Sequence, residues 1–410
     1  MDLESLFLII GSIILIGFTG RVVRQTTQVP ESLFLILFGL ILGPLTGLVP
    51  TRPLLDFVPI ISAAAMIAIL VESGIEFEIK RLKGSLGSAL LFTLMVAVVT
   101  TVLVAAVLHY FFGWEPAHAA LLGLISSGTT TITAMSLLKG TDVSKKVQRT
   151  VLLETIINDF TLIVGTFLIV EYMKVKDFSI NEAAKLFFSE LSTGILIGIL
   201  FAVFWRWVLL EINKKKELSY ASTIGICFVI YYLASFFGGN PIIAIFTFSL
   251  LLGNYHRIYQ HITTSKVREK SKFDPVLRSI KSVQTDFTFF IASSFFVLLG
   301  ITLDPSLFDF STTLLIASII VIIIATRYLA SEILAKTDKD FSSYSMIMSL
   351  MIPRGYVAAV LAFVPAQEGI EIPRITDIMV VLIVVTTLIA IGGTVLYTRL
   401  GKKKAKQESG

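Results

Sequence analysis

The sequence predicts an all-α membrane protein of thirteen transmembrane helices, built as two inverted six-helix repeats whose interrupted helices 5 and 12 cross at the midplane. Three observations predict it: the composition, the alternation of basic loops, and a weak likeness between the two halves of the chain. Hydrophobic residues make up 55% of the 410, charged residues 15%, and mean hydropathy is +0.85. A soluble chain of this length needs far more charge to cover its surface. The pI near 9.1 and net charge of +5 therefore point to basic loops against anionic membrane lipid, and not to nucleic acid. A single cysteine, Cys227, excludes a disulfide framework and a cysteine metal cluster. The opening Met1-Asp2-Leu3-Glu4 lacks the basic stretch of a cleavable signal and leads straight into the first span.

Apolar runs of transmembrane length lie at 4–20, 30–49, 55–73, 87–113, 117–138, 147–172, 187–210, 218–237, 240–256, 284–303, 309–334, 343–365 and 376–398. Spans 8 and 9 are divided only by Gly238-Gly239, which predicts a tight turn. Basic residues fall in alternate connections. One side of the membrane holds 26 of them, from Arg21 and Arg24 after span 1 to Arg399, Lys402, Lys403, Lys404 and Lys406 after span 13. The other side holds five: Arg52, Lys174, Lys176, Lys185 and Arg374. The positive-inside rule then puts the N-terminus outside a cell membrane and the C-terminus in the cytoplasm. The basic stretch 257–283 reads as an amphipathic helix at the cytoplasmic interface, and 176–186 reads the same way outside. The tail 401–410 is too short for a soluble regulatory domain.

The two halves resemble each other. Pro30 to Gly43 (PESLFLILFGLILG) reads like Pro241 to Gly253 (PIIAIFTFSLLLG), and IAILVESGIEFE ending at Glu78 reads like SSFFVLLGITLD ending at Asp304. Spans 1–6 thus pair with spans 8–13, with span 7 as connector. Span 1 starts outside and span 8 inside, so the halves are inverted, as in secondary transporters.

Polar groups inside a bilayer are costly, and each is a functional candidate. In span 5, residues 126–133 read Ser-Ser-Gly-Thr-Thr-Thr-Ile-Thr. Small residues that serve helix packing occupy one face. Here seven of eight successive positions are Ser, Thr or Gly, which predicts a local break that frees the carbonyls of Thr129 or Thr130. In span 6, Glu154, Thr155, Asn158 and Asp159 share one helix face. A lone carboxylate in an apolar span can hold a cation or a proton, and Asp159 is the candidate for both. In span 12, Pro353-Arg354-Gly355 predicts the matching break, with Arg354 where half-helix ends meet. Arg327, deep in span 11, cannot be deprotonated and needs a buried acid, for which Glu154 is the candidate. Glu72 and Ser73 close span 3, where Glu72 either lines a vestibule or is a solvated helix end.

At these residues the chain resembles a known family. Glu154-Thr155 followed by Asn158-Asp159 is similar to the E-S-x-x-N-D signature of NhaP-like sodium/proton antiporters, with Thr155 in the serine's place. Ser293-Ser294-Phe295-Phe296-Val297-Leu298-Leu299-Gly300 is similar to the family's tenth-span motif, and Pro353-Arg354-Gly355 to its twelfth. The resemblance implies a homodimer, with spans 1–3 and 8–10 at the interface and spans 4–6 and 11–13 as a core that moves like an elevator. It carries binding of the metal cation onto Asp159, Thr155 and the backbone near Thr129, helped by a span 3 acid, and it pairs Glu154 with Arg327. The chain departs from the family at Thr129-Thr130-Thr131, where Thr-Asp-Pro is usual. It departs also in span 3, where the acid's place falls on Ser73 with Glu72 one residue earlier.

The leading expectation is a secondary antiporter exchanging Na+, or K+ or Li+, for H+. Asn158 beside a single acid suggests one-for-one, electroneutral exchange. The transported ions are substrates, and no cofactor is implied. Two other readings stay open at this point: an anion or organic-acid carrier using Arg354, and a transport-inactive sensor on the same fold. An intramembrane enzyme is not expected, since the spans hold no histidine–carboxylate metal motif and no serine–lysine or serine–histidine pair.

Overall fold

The computed structural model describes residues 3–27, 29–49, 54, 58–77, 85–139, 141–174, 180–212, 218–255 and 268–408. Among them the regular structure is entirely helical. In chain order the helices are α1 (Leu3–Thr27), α2 (Glu31–Leu40, continued by a π-helical turn, Ile41–Leu45), α3 (Val58–Glu76), α4 (Leu86–Phe112), α5 (Pro116–Ser127), α6 (Thr131–Leu138), α7 (Lys145–Lys174) and α8 (Ile180–Ile212). There follow α9 (Leu218–Phe236), α10 (Pro241–Gly253), α11 (Arg268–Thr302), α12 (Phe310–Thr337), α13 (Ser345–Leu350), α14 (Tyr356–Leu361), α15 (Val364–Gln367) and α16 (Ile375–Glu408). Among the described residues seven helices are long and apolar enough to cross a membrane: α3, α4, α7, α8, α11, α12 and α16. Shorter apolar stretches lie in α1, α2, α5, α9, α10 and α14–α15.

Local chemistry sets the ends. Pro241 opens α10, and the Asn240 side chain accepts from the N–H groups of Ile242 and Ile243, each at 3.1 Å. Asp309 accepts from the Thr312 N–H at 3.0 Å and caps α12. Gly238, at φ +68, makes the turn between α9 and α10 that the Gly238-Gly239 pair predicts. At the start of α7, Lys146 donates to Asp338 and, at 2.9 Å, to Asp340, in the turn after α12. The Lys146 ammonium, with the Asp340 N–H, holds the Asp338 carboxyl below its usual range. Leu8 and Leu15 on α1, and Leu196, Leu200 and Val203 on α8, are exposed, the outward apolar face of a helix that meets lipid.

The interfacial helix expected over 257–283 is not a separate element where it is described. Residues 256–267 lie outside the described residues, and from Arg268 the chain is one helix that runs 35 residues to Thr302. Pro275 lies inside this helix, and from Val276 to Leu299 the sequence has neither glycine nor proline, so Arg278 and Lys281 run into the apolar span without a break. The stretch 176–186 likewise enters α8 at Ile180.

The chain forms two compact units. The first is Met1–Pro59, Leu82–Met173 and Ser293–Gly410; the second is Ile60–Arg81 and Lys174–Ala292. Each contains a crossing of the same kind at which backbones touch. In the first, a Cβ added at Gly43 of the π-turn would stand 2.6 Å from the Ile301 carbonyl oxygen, and one at Gly300 2.2 Å from that of Ile36. In the second, a Cβ at Gly253 would stand 2.5 Å from the Ile75 oxygen, and one at Gly74 2.0 Å from Ser249 Oγ. Any side chain would force these helices apart.

Gly300→Ala should therefore lower stability by about 1–3 kcal/mol, the usual cost of overpacking. The measurement is the thermal midpoint of the purified protein, and an unchanged midpoint would show that α2 and α11 do not meet there.

Candidate functional site

The site lies in the first unit, where two broken spans meet α7. In span 5 the Ser127 hydroxyl donates to the Leu124 carbonyl at 2.7 Å, a local bond that competes with the helix ladder. The chain then leaves the helix: Gly128 (φ −64, ψ 146) and Thr130 (φ −96, ψ 130) are extended, and α6 restarts at Thr131. In span 12, residues 351–355 are non-helical between α13 and α14. The breaks cross. The Thr130 N–H donates to the Pro353 carbonyl at 3.0 Å, and a Cβ on Gly355 would fall 2.4 Å from the Thr130 Cβ.

The freed carbonyls are mostly taken up. That of Ser127 accepts from Asn158 Nδ2 at 3.3 Å, and that of Gly128 accepts from Arg354 Nη1. Of the two carbonyls at which a free group is expected, that of Thr130 is taken: it accepts from the Ala134 N–H at 3.1 Å and begins α6. The Thr129 carbonyl accepts no hydrogen bond among the described residues. The reason is geometric. Gly128 and Thr130 are both extended and carry the chain across the break, and the Thr130 carbonyl already serves the next helix.

On α7 the two acids differ. Glu154 is fully buried, and its Oε1 accepts from Thr129 Oγ1 at 2.8 Å and from Arg327 Nη1 at 2.9 Å. Arg327, also fully buried, donates from Nε to the Met348 carbonyl at 3.3 Å and lies over the Phe92 ring at 5.0 Å. Asp159 is half-buried and has no hydrogen bond or ion pair among the described residues. Beside it, Asn158 is buried, and its Oδ1 has no donor among them. Thr155 gives its hydroxyl proton to the Leu152 carbonyl at 2.9 Å, so the Thr131 hydroxyl donates in their 2.8 Å contact. Arg354, 1% exposed, has one side-chain hydrogen bond among the described residues, to the Gly128 carbonyl. Glu72 and Ser73 belong to the second unit, half-buried near the end of α3.

Sequence reasoning missed several of these partners. Thr131 was visible in the threonine run, but its hydroxyl was read only as a missing proline. Phe92 and the Met348 carbonyl carry no sequence signal of their own. Glu31, 5% exposed, accepts from the Tyr356 hydroxyl at 3.3 Å, and Arg21 Nε lies 4.0 Å from its other oxygen. An acid directly after Pro30 reads as an ordinary helix start, which hid its burial.

The model of a family described as "Sodium/hydrogen exchanger, transmembrane" matches residues 10–398. The low-affinity Na(+)/H(+) antiporter NhaS1 of Synechocystis is 24% identical over 408 residues, 95% of this chain and 72% of its own. The K(+)/H(+) antiporter NhaP2 of Shewanella sp. (strain ANA-3) is 24% identical over 342 residues, 82% of this chain and 56% of its own, so the chain spans about half of that relative's length. The solved structure of the sodium proton antiporter MjNhaP1 from Methanocaldococcus jannaschii at pH 8 superposes with a TM-score of 0.77 over 98% of both chains, at 19% identity. At that identity the superposition speaks for the fold.

Removing Glu154 would leave Arg327 as an uncompensated buried charge. Glu154→Ala should cost roughly 3–5 kcal/mol of stability. Because the two charges share one interaction, the Glu154→Ala/Arg327→Ala double variant should lose less than the sum of the singles. Thermal unfolding of the three variants reads both effects, and a Glu154→Ala protein as stable as the parent would refute the pairing.

Proposed function

The chain belongs to the sodium/hydrogen exchanger family, whose members are transporters and not enzymes, and we propose that it exchanges a monovalent cation for a proton across a cell membrane. Na+ is the first candidate, with K+ and Li+ behind it. The observation that carries this reading is the contrast between two acids five residues apart. Glu154 is committed to Arg327 and Thr129, while Asp159 is bonded to nothing among the described residues and retains partial exposure. A carboxylate left open at a break in the membrane can take a cation or a proton, and each excludes the other.

Asp159 is assigned as the shared carboxylate. Asn158 Oδ1, the hydroxyls of Thr155 and Thr131, and the Thr129 carbonyl are assigned as further oxygen ligands, a hard donor set that suits an alkali cation. Thr130 holds the two breaks together through its N–H. Because Asn158 stands beside one free acid, one cation exchanges for one proton, electroneutrally. Family membership leaves the anion-carrier and inactive-sensor readings without support.

The wider architecture belongs to the same proposal: thirteen spans, an external N-terminus and two inverted repeats. Its support is the repeated glycine crossing. Gly43 against Ile301 and Gly253 against Ile75 have the same backbone contact, as inverted halves require. Spans 4–6 and 11–13 form the core that moves, and spans 1–3 and 8–10 the dimer interface.

The test is a proteoliposome assay with a pH-sensitive dye, run with Na+, K+ and Li+ in turn, with and without an ionophore that clamps voltage. Cation-dependent proton flux should appear and be indifferent to the clamp. Asp159→Asn should abolish the flux and leave a folded protein of equal or greater thermal stability, since a partly desolvated charge with no partner among the described residues has been removed. Wild-type flux from Asp159→Asn would overturn the mechanism. Asn158→Asp adds a second acid, and its flux should become sensitive to the clamp; an Asn158→Asp protein that exchanges as the parent does would argue against Asn158 setting the stoichiometry.

A further inference from the structure

The crossing of the broken helices holds one positive charge more than its side chains balance. Arg354 is 1% exposed, and a guanidinium cannot shed its proton in a protein. Its charged neighbours are Arg327 and Glu154. Glu154 is already joined to Arg327 through Oε1, so that pair is neutral and leaves Arg354 over. Of its donors, Nη1 reaches the Gly128 carbonyl, while Nε and Nη2 are buried with no hydrogen-bond partner among the described residues. The Gly128 carbonyl lies at the C-terminal end of α5, and a helix end supplies roughly half a negative charge. Compensation is therefore incomplete. A buried ion that is neither paired nor fully hydrogen-bonded is among the costliest groups a fold can contain.

We infer that Arg354 holds a small inorganic anion of the chloride class, as a resident counter-ion bound through Nε and Nη2 where the two breaks cross. The anion is not cargo. It neutralises the guanidinium in every state of the site, so that Asp159 stays available for exchange. The position of Thr130 supplies the means to replace it. The Thr130 N–H bonds the Pro353 carbonyl and its side chain packs against Gly355, so residue 130 touches the chain on both sides of Arg354. A carboxylate at 130 would act as a tethered anion.

The inference concerns charge balance and not flux, so its test uses binding and stability and is separate from that of the exchange reading. The thermal midpoint of the purified full-length protein is measured at constant Na+ while chloride replaces gluconate stepwise. The midpoint should rise saturably, by about 3 °C or more at high chloride, as for any ligand that binds only the folded state. Thr130→Asp should have a raised midpoint in gluconate and no further response to chloride. Equal midpoints in chloride and gluconate for the parent protein would overturn the proposal. So would a chloride response in Thr130→Asp as large as the parent's, which would mark a general salt effect. Should Thr130→Asp not fold, bromide-soaked crystals of the parent decide the matter. An anomalous peak in contact with Arg354 supports the site, and bromide absent from that position rules it out.

Discussion

Backbone that leaves a helix inside a bilayer has no water to turn to, so its polar groups must find partners in the protein. That constraint organises the centre of this molecule. Each break supplies what the other lacks. The N–H of Thr130 meets the carbonyl of Pro353, and the carbonyl of Gly128 meets the guanidinium of Arg354. A second freed carbonyl, at Ser127, accepts from Asn158 and ties the polar face of α7 to the crossing. The functional face of α7 is thus positioned by the same bonds that make the broken backbone tolerable.

The charges are arranged around that frame. Glu154 is bound to Arg327, whose guanidinium is steadied by Phe92 and by the Met348 carbonyl. One residue before Arg327, Thr326 shares a hydrogen bond of 2.9 Å with Thr100, which fixes α12 against α4. Among the described residues nothing comparable restrains Asp159. Two acids on one helix thereby differ: one is tied into the scaffold, and the other has no partner there.

The class of fold was legible because lipid imposes its own grammar: a long apolar run for each crossing and little charge overall. The breaks were legible at Gly128–Thr130 and Pro353–Gly355, since those residues weaken a helix whatever surrounds them. The acid for Arg327 was legible because a charge that cannot be neutralised demands a partner. What the chain did not disclose depends on contacts between distant segments. Which carbonyls leave the span 5 ladder is decided by the path of the crossing backbone, so Thr130 proved committed and Ser127 and Gly128 diverted. The burial of Glu31 depends on Tyr356, more than 300 residues away. The start of α11 at Arg268 was missed because charge was read as a boundary, although helix propensity passes through lysine and arginine without interruption.

The two helices that carry the glycine crossings are also short. At 1.5 Å per residue, Pro241–Gly253 rises about 20 Å and Glu31–Leu45 about 22 Å. A hydrocarbon layer is ~30 Å thick. In the proposed thirteen-span architecture both helices would fall short of it, and the bilayer would thin toward their ends at fractions of a kcal/mol for each Å of mismatch. The length of the surrounding acyl chains would then set the load on the points where Gly43 and Gly253 meet their neighbours.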